Sequence, residues 1–242
     1  MRFIIFHKTN AHWEAGGLPG PKLIARVGAL IEELTEAGGL EGAEGLRPSS
    51  EGVRLRLAEG VRTETRGPFK GDNELPAGFD ILRAASLDEA IRWATRLASV
   101  LGDGELEIRP VTEAWDIGLV PKPPSETTRR YMVLRKATAA SEEGAALTPG
   151  QRSELAHLVE ASRRTGVHLT REDMRPSSRG RRYKNSRKGI SVTDGPFTES
   201  KELIAGYVIV SAPSLEGAER WALRYIDAVG AEEVDVRELE DR

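Results

Sequence analysis

The densest group of side chains able to do chemistry lies in "TDGPFTESKE", Thr193 to Glu202. Asp194 precedes a Gly-Pro pair, where a short carboxylate can accept backbone N–H bonds across a turn. Glu199 and Lys201 are two apart, so in an extended segment they share a face. Two acids, Glu199 and Glu202, beside a base form either an acid–base pocket or an ion-pair network. In the pocket reading Asp194 or Glu199 is the catalytic base, and Arg175 or Lys201 holds a developing oxyanion. Arg175-Pro176-Ser177-Ser178 puts a guanidinium beside two hydroxyls, a set suited to gripping a carboxylate or phosphate. Arg237 offers a second guanidinium. The candidate ligand-binding set is therefore Arg175, Ser177, Lys201, Glu202 and Arg237. The same groups could instead tie neighbouring loops together.

Other chemistries find little support. The chain of 242 residues has no Cys, which excludes disulfides, a thiol nucleophile and Cys-containing metal sites. His7, His12, His157 and His168 show neither HxH nor HExxH spacing, so no metal site is expected. No dinucleotide fingerprint, phosphate-binding loop or nucleophile elbow occurs, so no cofactor is expected either. Trp13, in "NAHWEAGGLPG", reads as a loop residue that could line a cavity mouth. A net charge of −3 argues against a nucleic-acid partner. The longest apolar runs fall well short of the roughly 20 residues a membrane helix needs, and the N-terminus lacks a signal-peptide core. A cytoplasmic, non-membrane protein is the expectation.

The elements that must position these residues repeat. At an offset of 128 residues the chain aligns with itself without a gap from Arg2/Arg130 to Glu113/Asp241, with about 36 identities in 112 pairs. "LRPSS" at 46–50 meets "MRPSS" at 174–178; Gly67-Pro68-Phe69 meets Gly195-Pro196-Phe197; Trp93, Trp221, Arg109 and Arg237 match likewise. This is a tandem duplication. Residues 1–115 and 129–242 are the two repeats, and the Pro-rich stretch 116–128 is an extended linker. The first 120 residues carry a net −5 and the remainder +2. The excess lies in residues 171–188, where eight of 18 are Lys or Arg, read as a solvated hairpin or an anion- or partner-binding surface.

Each repeat reads strand, helix, three strands, helix, strand. "RFIIFHK" and "RYMVLRK" are short apolar strands. Pro21 and Pro149 suit helix N-termini, and Gly38 and Gly166 suit their ends. "VRLRL" alternates strictly, "GFDILRA" and "GYVIVSA" are buried strands, and Ser86 and Ser214 cap second helices that bury Trp93 and Trp221. The order condenses to a split βαβ, ferredoxin-like pattern. Its helices cover one sheet face, so the open faces of two copies can meet within one chain. The three residues Gly-Pro-Phe persist although Arg66 replaces Asp194 in the first repeat, which points to a turn and an aromatic anchor.

The motif "TDGPFTESKE" after "RPSS" and before "GYVIVSAPSLEGAERWA" resembles the YCII-related family, in its DGPF branch, across nearly the whole chain. The resemblance implies a ferredoxin-like α+β fold and a dimeric α+β barrel, here formed by two repeats of one chain. It implies a small-molecule-binding or accessory, regulatory role, with sigma-factor association as an analogy only. The alternative is a cofactor-independent enzyme of isomerase, lyase or oxygenase type acting on a small organic acid or aromatic metabolite. Family members proposed as enzymes carry a His in the first helix and an Asp in the second. Those positions fall near Val27 and Leu155, and near Leu97 and Tyr225, so neither repeat keeps the pair. The first-repeat motif is degenerate, which places a single working site with the second.

Overall fold

A computed structural model describes residues 1–71, 74–197 and 200–241. Two six-stranded antiparallel sheets form its centre. The strands are β1 (Arg2–Lys8), β2 (Leu40–Gly45), β3 (Val53–Ala58), β4 (Val61–Arg66), β5 (Pro76–Ala84) and β6 (Gly104–Pro110), then β7 (Arg129–Lys136), β8 (His168–Asp173), β9 (Arg181–Ser186), β10 (Gly189–Asp194), β11 (Ile204–Ser211) and β12 (Glu233–Glu238). The long helices are α2 (Pro21–Glu36), α3 (Leu87–Leu101), α5 (Pro149–Arg164) and α6 (Leu215–Val229). Two short helices, α1 (Ala11–Glu14) and α4 (Ala139–Glu142), sit where the sequence reads as loop. Asn10 and Thr138 nucleate them by accepting the N–H of Trp13 and Ser141. Among the described residues no helix is long and apolar enough to cross a membrane.

The strand orders are β10-β9-β12-β1-β11-β2 and β4-β3-β6-β7-β5-β8. An offset of 128 residues turns one order into the other, so the fold is a duplicated ferredoxin-like α+β pair. Each sheet, however, mixes the repeats. The β1-α2-β2 segment of the first repeat joins β9 to β12 of the second, and β7-α5-β8 of the second joins β3 to β6 of the first. The reason lies at the centre of each sheet. β1 sits between β11 and β12, pairing Phe3 with Val210 and with Glu238. Its apolar run then buries both faces inside the other repeat's sheet.

Three cores follow from this layering. Ile4, Phe6, Phe79, Ile81, Met132, Leu134, Tyr207 and Ile209 fill the space between the sheets. Phe3, Ile5, Leu34, Val208 and Trp221 pack the first sheet against α2 and α6. Leu55, Leu82, Leu97, Trp93 and Val133 pack the second against α3 and α5. The result is helix, sheet, sheet, helix, with strand alternation dividing each strand's side chains between inner and outer cores.

β2 and β8 were not legible as strands. "LEGAEG" has no apolar alternation, yet it is held as an edge strand by backbone pairing to β11, from Gly206 opposite Gly45 to Val210 opposite Leu40.

Candidate functional site

The repeated motifs build a scaffold. Ser177 is fully buried. Its hydroxyl donates to Glu142 of α4 and accepts the N–H of Phe197 at 2.9 Å. Ser49 does the same between Glu14 of α1 and Phe69, whose N–H is 3.0 Å away. A side chain at Gly67 or Gly195 would overlap the carbonyl oxygen of Ser49 or Ser177, so only glycine lets the two motifs touch. Arg182 lies over the Phe197 ring, 4.5 Å from its centre, as Arg54 lies over Phe69 at 4.4 Å.

Arg237 and Arg109 cross between the sheets. Arg237 donates to the carbonyls of Arg175 (2.6 Å) and Pro76 (3.2 Å). Arg109 donates to those of Arg47 and Ile204. Both guanidinium groups are almost wholly buried. Beside them Lys8 binds Asp235 at 2.7 Å, and Arg182 reaches the same carboxylate at 2.6 Å. Burial alone would push the Asp235 pKa up; Lys8 and Arg182 outweigh it and bring the group down to about 2.

The sequence-derived candidates divide accordingly. Ser177, Arg237 and the Arg175 backbone meet in the scaffold around Glu142. The Arg175 side chain lies 3.8 Å from Asp241. Asp194 stands apart at the end of β10, mostly exposed and ion-paired with Arg181 at 2.7 Å. Lys201 and Glu202 are exposed before β11. Glu199 lies outside the described residues. None of the described candidates lines the cavity that follows. The basic stretch 171–188 forms β8 and β9, where Arg181, Arg182 and Lys184 all pair with acids.

That cavity, of about 560 Å³, lies under α2. Leu23, Ile24, Val27 and Ile31 of the helix form one wall, and Leu40, Ala43 and Leu46 at edge strand β2 form another. Tyr225 and Val229 of α6 close the inner end. Trp13, Leu18 and Pro19 before α2, with Ile117 and Leu119 of the inter-repeat linker, frame the mouth. Leu18 and Leu119 are both 55% exposed there. Val27 and Tyr225 lie near one of the two His positions and one of the two Asp positions that the family resemblance implies.

The polar groups in this lining are few. His7, on the helix-facing side of β1, has Nδ1 2.8 Å from the Tyr225 hydroxyl. Gly206 makes room for the imidazole, since a side-chain carbon there would lie 2.7 Å from His7 Cε1 and 2.6 Å from the Glu44 carbonyl oxygen. Burial, with Lys8 adding to it, lowers the His7 pKa to about 4, so the ring is neutral near pH 7. Burial raises the Tyr225 hydroxyl well above its usual range. Glu44 is raised by burial and opposed by Arg130, which ion-pairs with it and with Glu113. Arg47 is held by Glu51 at 2.6 Å.

The equivalent space in the other sheet is filled. His7, Leu40, Ala43, Val208 and Tyr225 correspond to Arg135, His168, Arg171, Asp80 and Leu97. Asp80 is fully buried and binds His168 Nε2 at 3.0 Å and Arg171 at 3.1 Å. Arg135 reaches Asp173 at 2.6 Å and the Glu172 carbonyl at 2.8 Å. The cavity of about 520 Å³ near this cluster is lined by Arg163, Arg171, Asp173, Glu240 and Asp241 among others, a charged surface. Among the described residues no group of three or more His, Asp or Glu side chains is placed to hold a metal ion.

Sequence reasoning passed over His7 because its counterpart is Arg135, and over Glu44 because β2 was not read as a strand. The available signal was that the family positions fall near Val27 and Leu155 and near Leu97 and Tyr225, of which Val27 and Tyr225 line this cavity. Comparison with known proteins places the description "YCII-related domain" on residues 1–115 and again on 130–240. An uncharacterised protein of Rhizobium meliloti (strain 1021) is 31% identical over 91 residues, covering 37% of this chain and 73% of that protein. No solved structure matches the chain.

Proposed function

Since the chain belongs to the YCII-related family through both of its repeats, we propose that it binds one small, largely apolar organic molecule in the cavity under α2. The observation that carries this reading is the cavity itself. Its volume of about 560 Å³ falls in the range of roughly 300–1,000 Å³ common for small-molecule sites. Its walls are aliphatic and aromatic, with a few polar groups converging at one end. Its counterpart is occupied by buried ion pairs, so one site per chain is expected.

Binding fits the side chains better than proton transfer. An imidazole with a pKa of about 4 is a weak base near neutral pH. Glu44, the one carboxylate among the described lining residues, is ion-paired to Arg130. Neither group has the free, near-neutral character of a general base.

The test is calorimetric titration of the full chain with 2-acetylnaphthalene, repeated on Gly28→Leu. Gly28 lies mid-helix in the cavity wall, with open space where a side chain would go. Leucine there fills volume and raises helix propensity by up to about 1 kcal/mol, so the variant stays folded. Saturable binding lost in Gly28→Leu supports the reading; binding unchanged in Gly28→Leu removes it.

A further inference from the structure

The polar end of the cavity specifies more than volume does. The Tyr225 hydroxyl meets His7 Nδ1 at 2.8 Å, and among the described residues it has no second partner. A buried phenol proton needs an acceptor, and Nδ1 is the one within reach. The hydroxyl therefore donates to Nδ1, which leaves the imidazole proton on Nε2. Nε2 has no protein partner among the described residues, and it is not among the buried unpaired atoms. It opens on the cavity as an N–H donor.

The charges around the cavity point the same way. Arg47 is committed to Glu51 through both Nε and Nη2. Arg130 is committed to Glu44 and Glu113. An anionic ligand would find both guanidinium groups near the lining already committed to carboxylates. A cationic ligand would face the neutral donor of His7. What suits the site is a neutral molecule with an apolar body and one strong acceptor oxygen.

Resting on the cavity reading above, we propose that the ligand is a neutral carbonyl compound, such as an aryl ketone, whose oxygen accepts a hydrogen bond from His7 Nε2–H. Towards the carbonyl oxygen Tyr225 is a positioning residue, because it acts on that bond by fixing the tautomer of His7.

Two experiments test this. The first is nitrogen NMR of protein labelled with ¹⁵N-histidine at pH 7, with His7→Gln used to assign the signal. A neutral ring protonated at Nε2 is expected for His7, and in Tyr225→Phe a shift towards a tautomer mixture. A neutral ring protonated at Nδ1, or a charged ring, overturns the proposal whatever the ligand. The second compares 2-acetylnaphthalene, 2-ethylnaphthalene and 2-naphthoate by titration of the full chain. The ketone is expected to bind about five- to tenfold tighter than the equally large hydrocarbon, and tighter than the carboxylate. In Tyr225→Phe, and more completely in His7→Phe, that preference falls towards one while hydrocarbon binding remains. Equal affinity for ketone and hydrocarbon in the wild type overturns the carbonyl inference but leaves the cavity reading standing. Tighter binding of 2-naphthoate overturns the neutral class. Binding of none of the three overturns the cavity reading and this inference with it.

Discussion

Asp235, buried, and His7, half-buried on the adjacent strand, illustrate how residues of opposite chemistry respond to pH. Asp235 has a folded pKa of about 2, below the roughly 3.9 of an unfolded aspartate. Its contribution to stability is complete above about pH 4 and is lost as pH falls towards 2. His7 has a folded pKa of about 4 against an ordinary 6.5. The unfolded chain therefore takes up its proton first, and stability declines as pH falls from about 6.5 to 4. Melting temperatures measured across this range should show two acid limbs. His7→Gln should flatten the upper one and Asp235→Asn the lower. Asp235→Asn should also cost about 3 kcal/mol at pH 7, because Lys8 and Arg182 lose their buried partner, readable as a drop in urea midpoint. At the same scale, Gly195→Ala should destabilise by about 2–3 kcal/mol, since the added carbon overlaps the Ser177 carbonyl oxygen. A Gly195→Ala protein with an unchanged urea midpoint would contradict the close contact. Residue types in the repeated motifs were legible. Whether Ser177 and Arg237 faced a ligand or the scaffold was not, because that depends on Glu142 and Pro76, far away in the chain.

At the level of elements, long helices and buried strands were readable and edge structure was not. The helix starts at Pro21 and Pro149 and the caps at Ser86 and Ser214 stand where local chemistry puts them. β2 escaped notice because nothing in "LEGAEG" alternates; tertiary pairing with β11 makes it a strand. That omission hid one wall of the cavity. The exchange of β1-α2-β2 and β7-α5-β8 was also invisible, since the same strand patterns pair equally well within a repeat or across repeats. It has a measurable consequence. Residues 1–120 and 121–242, co-expressed as two chains, should copurify as a one-to-one complex, because each sheet needs strands from both. Two independently folded monomers on a sizing column would rule the exchange out.

Over the whole molecule, duplication supplies symmetry and substitution removes it. The two sheets match strand for strand, and matched ion pairs tie them together: Arg2 to Glu172 at 2.6 Å, and Arg130 to Glu44. Below one helix pair the space stays open and apolar; below the other, Asp80, His168, Arg171 and Arg135 fill it. The offset of 128 residues was plain in the sequence, but the asymmetry was spread over five single positions on four elements. One ligand per chain is therefore expected, in the cavity that β1, α2 and β2 of the first repeat build with β11 and α6 of the second. Calorimetry of 2-acetylnaphthalene against wild type, Gly28→Leu and Asp194→Asn tests this most directly. A stoichiometry near one, abolished by Gly28→Leu and kept by Asp194→Asn, is the predicted result. Binding that survives Gly28→Leu but disappears in Asp194→Asn would contradict it and move the site to the exposed strand of the second repeat.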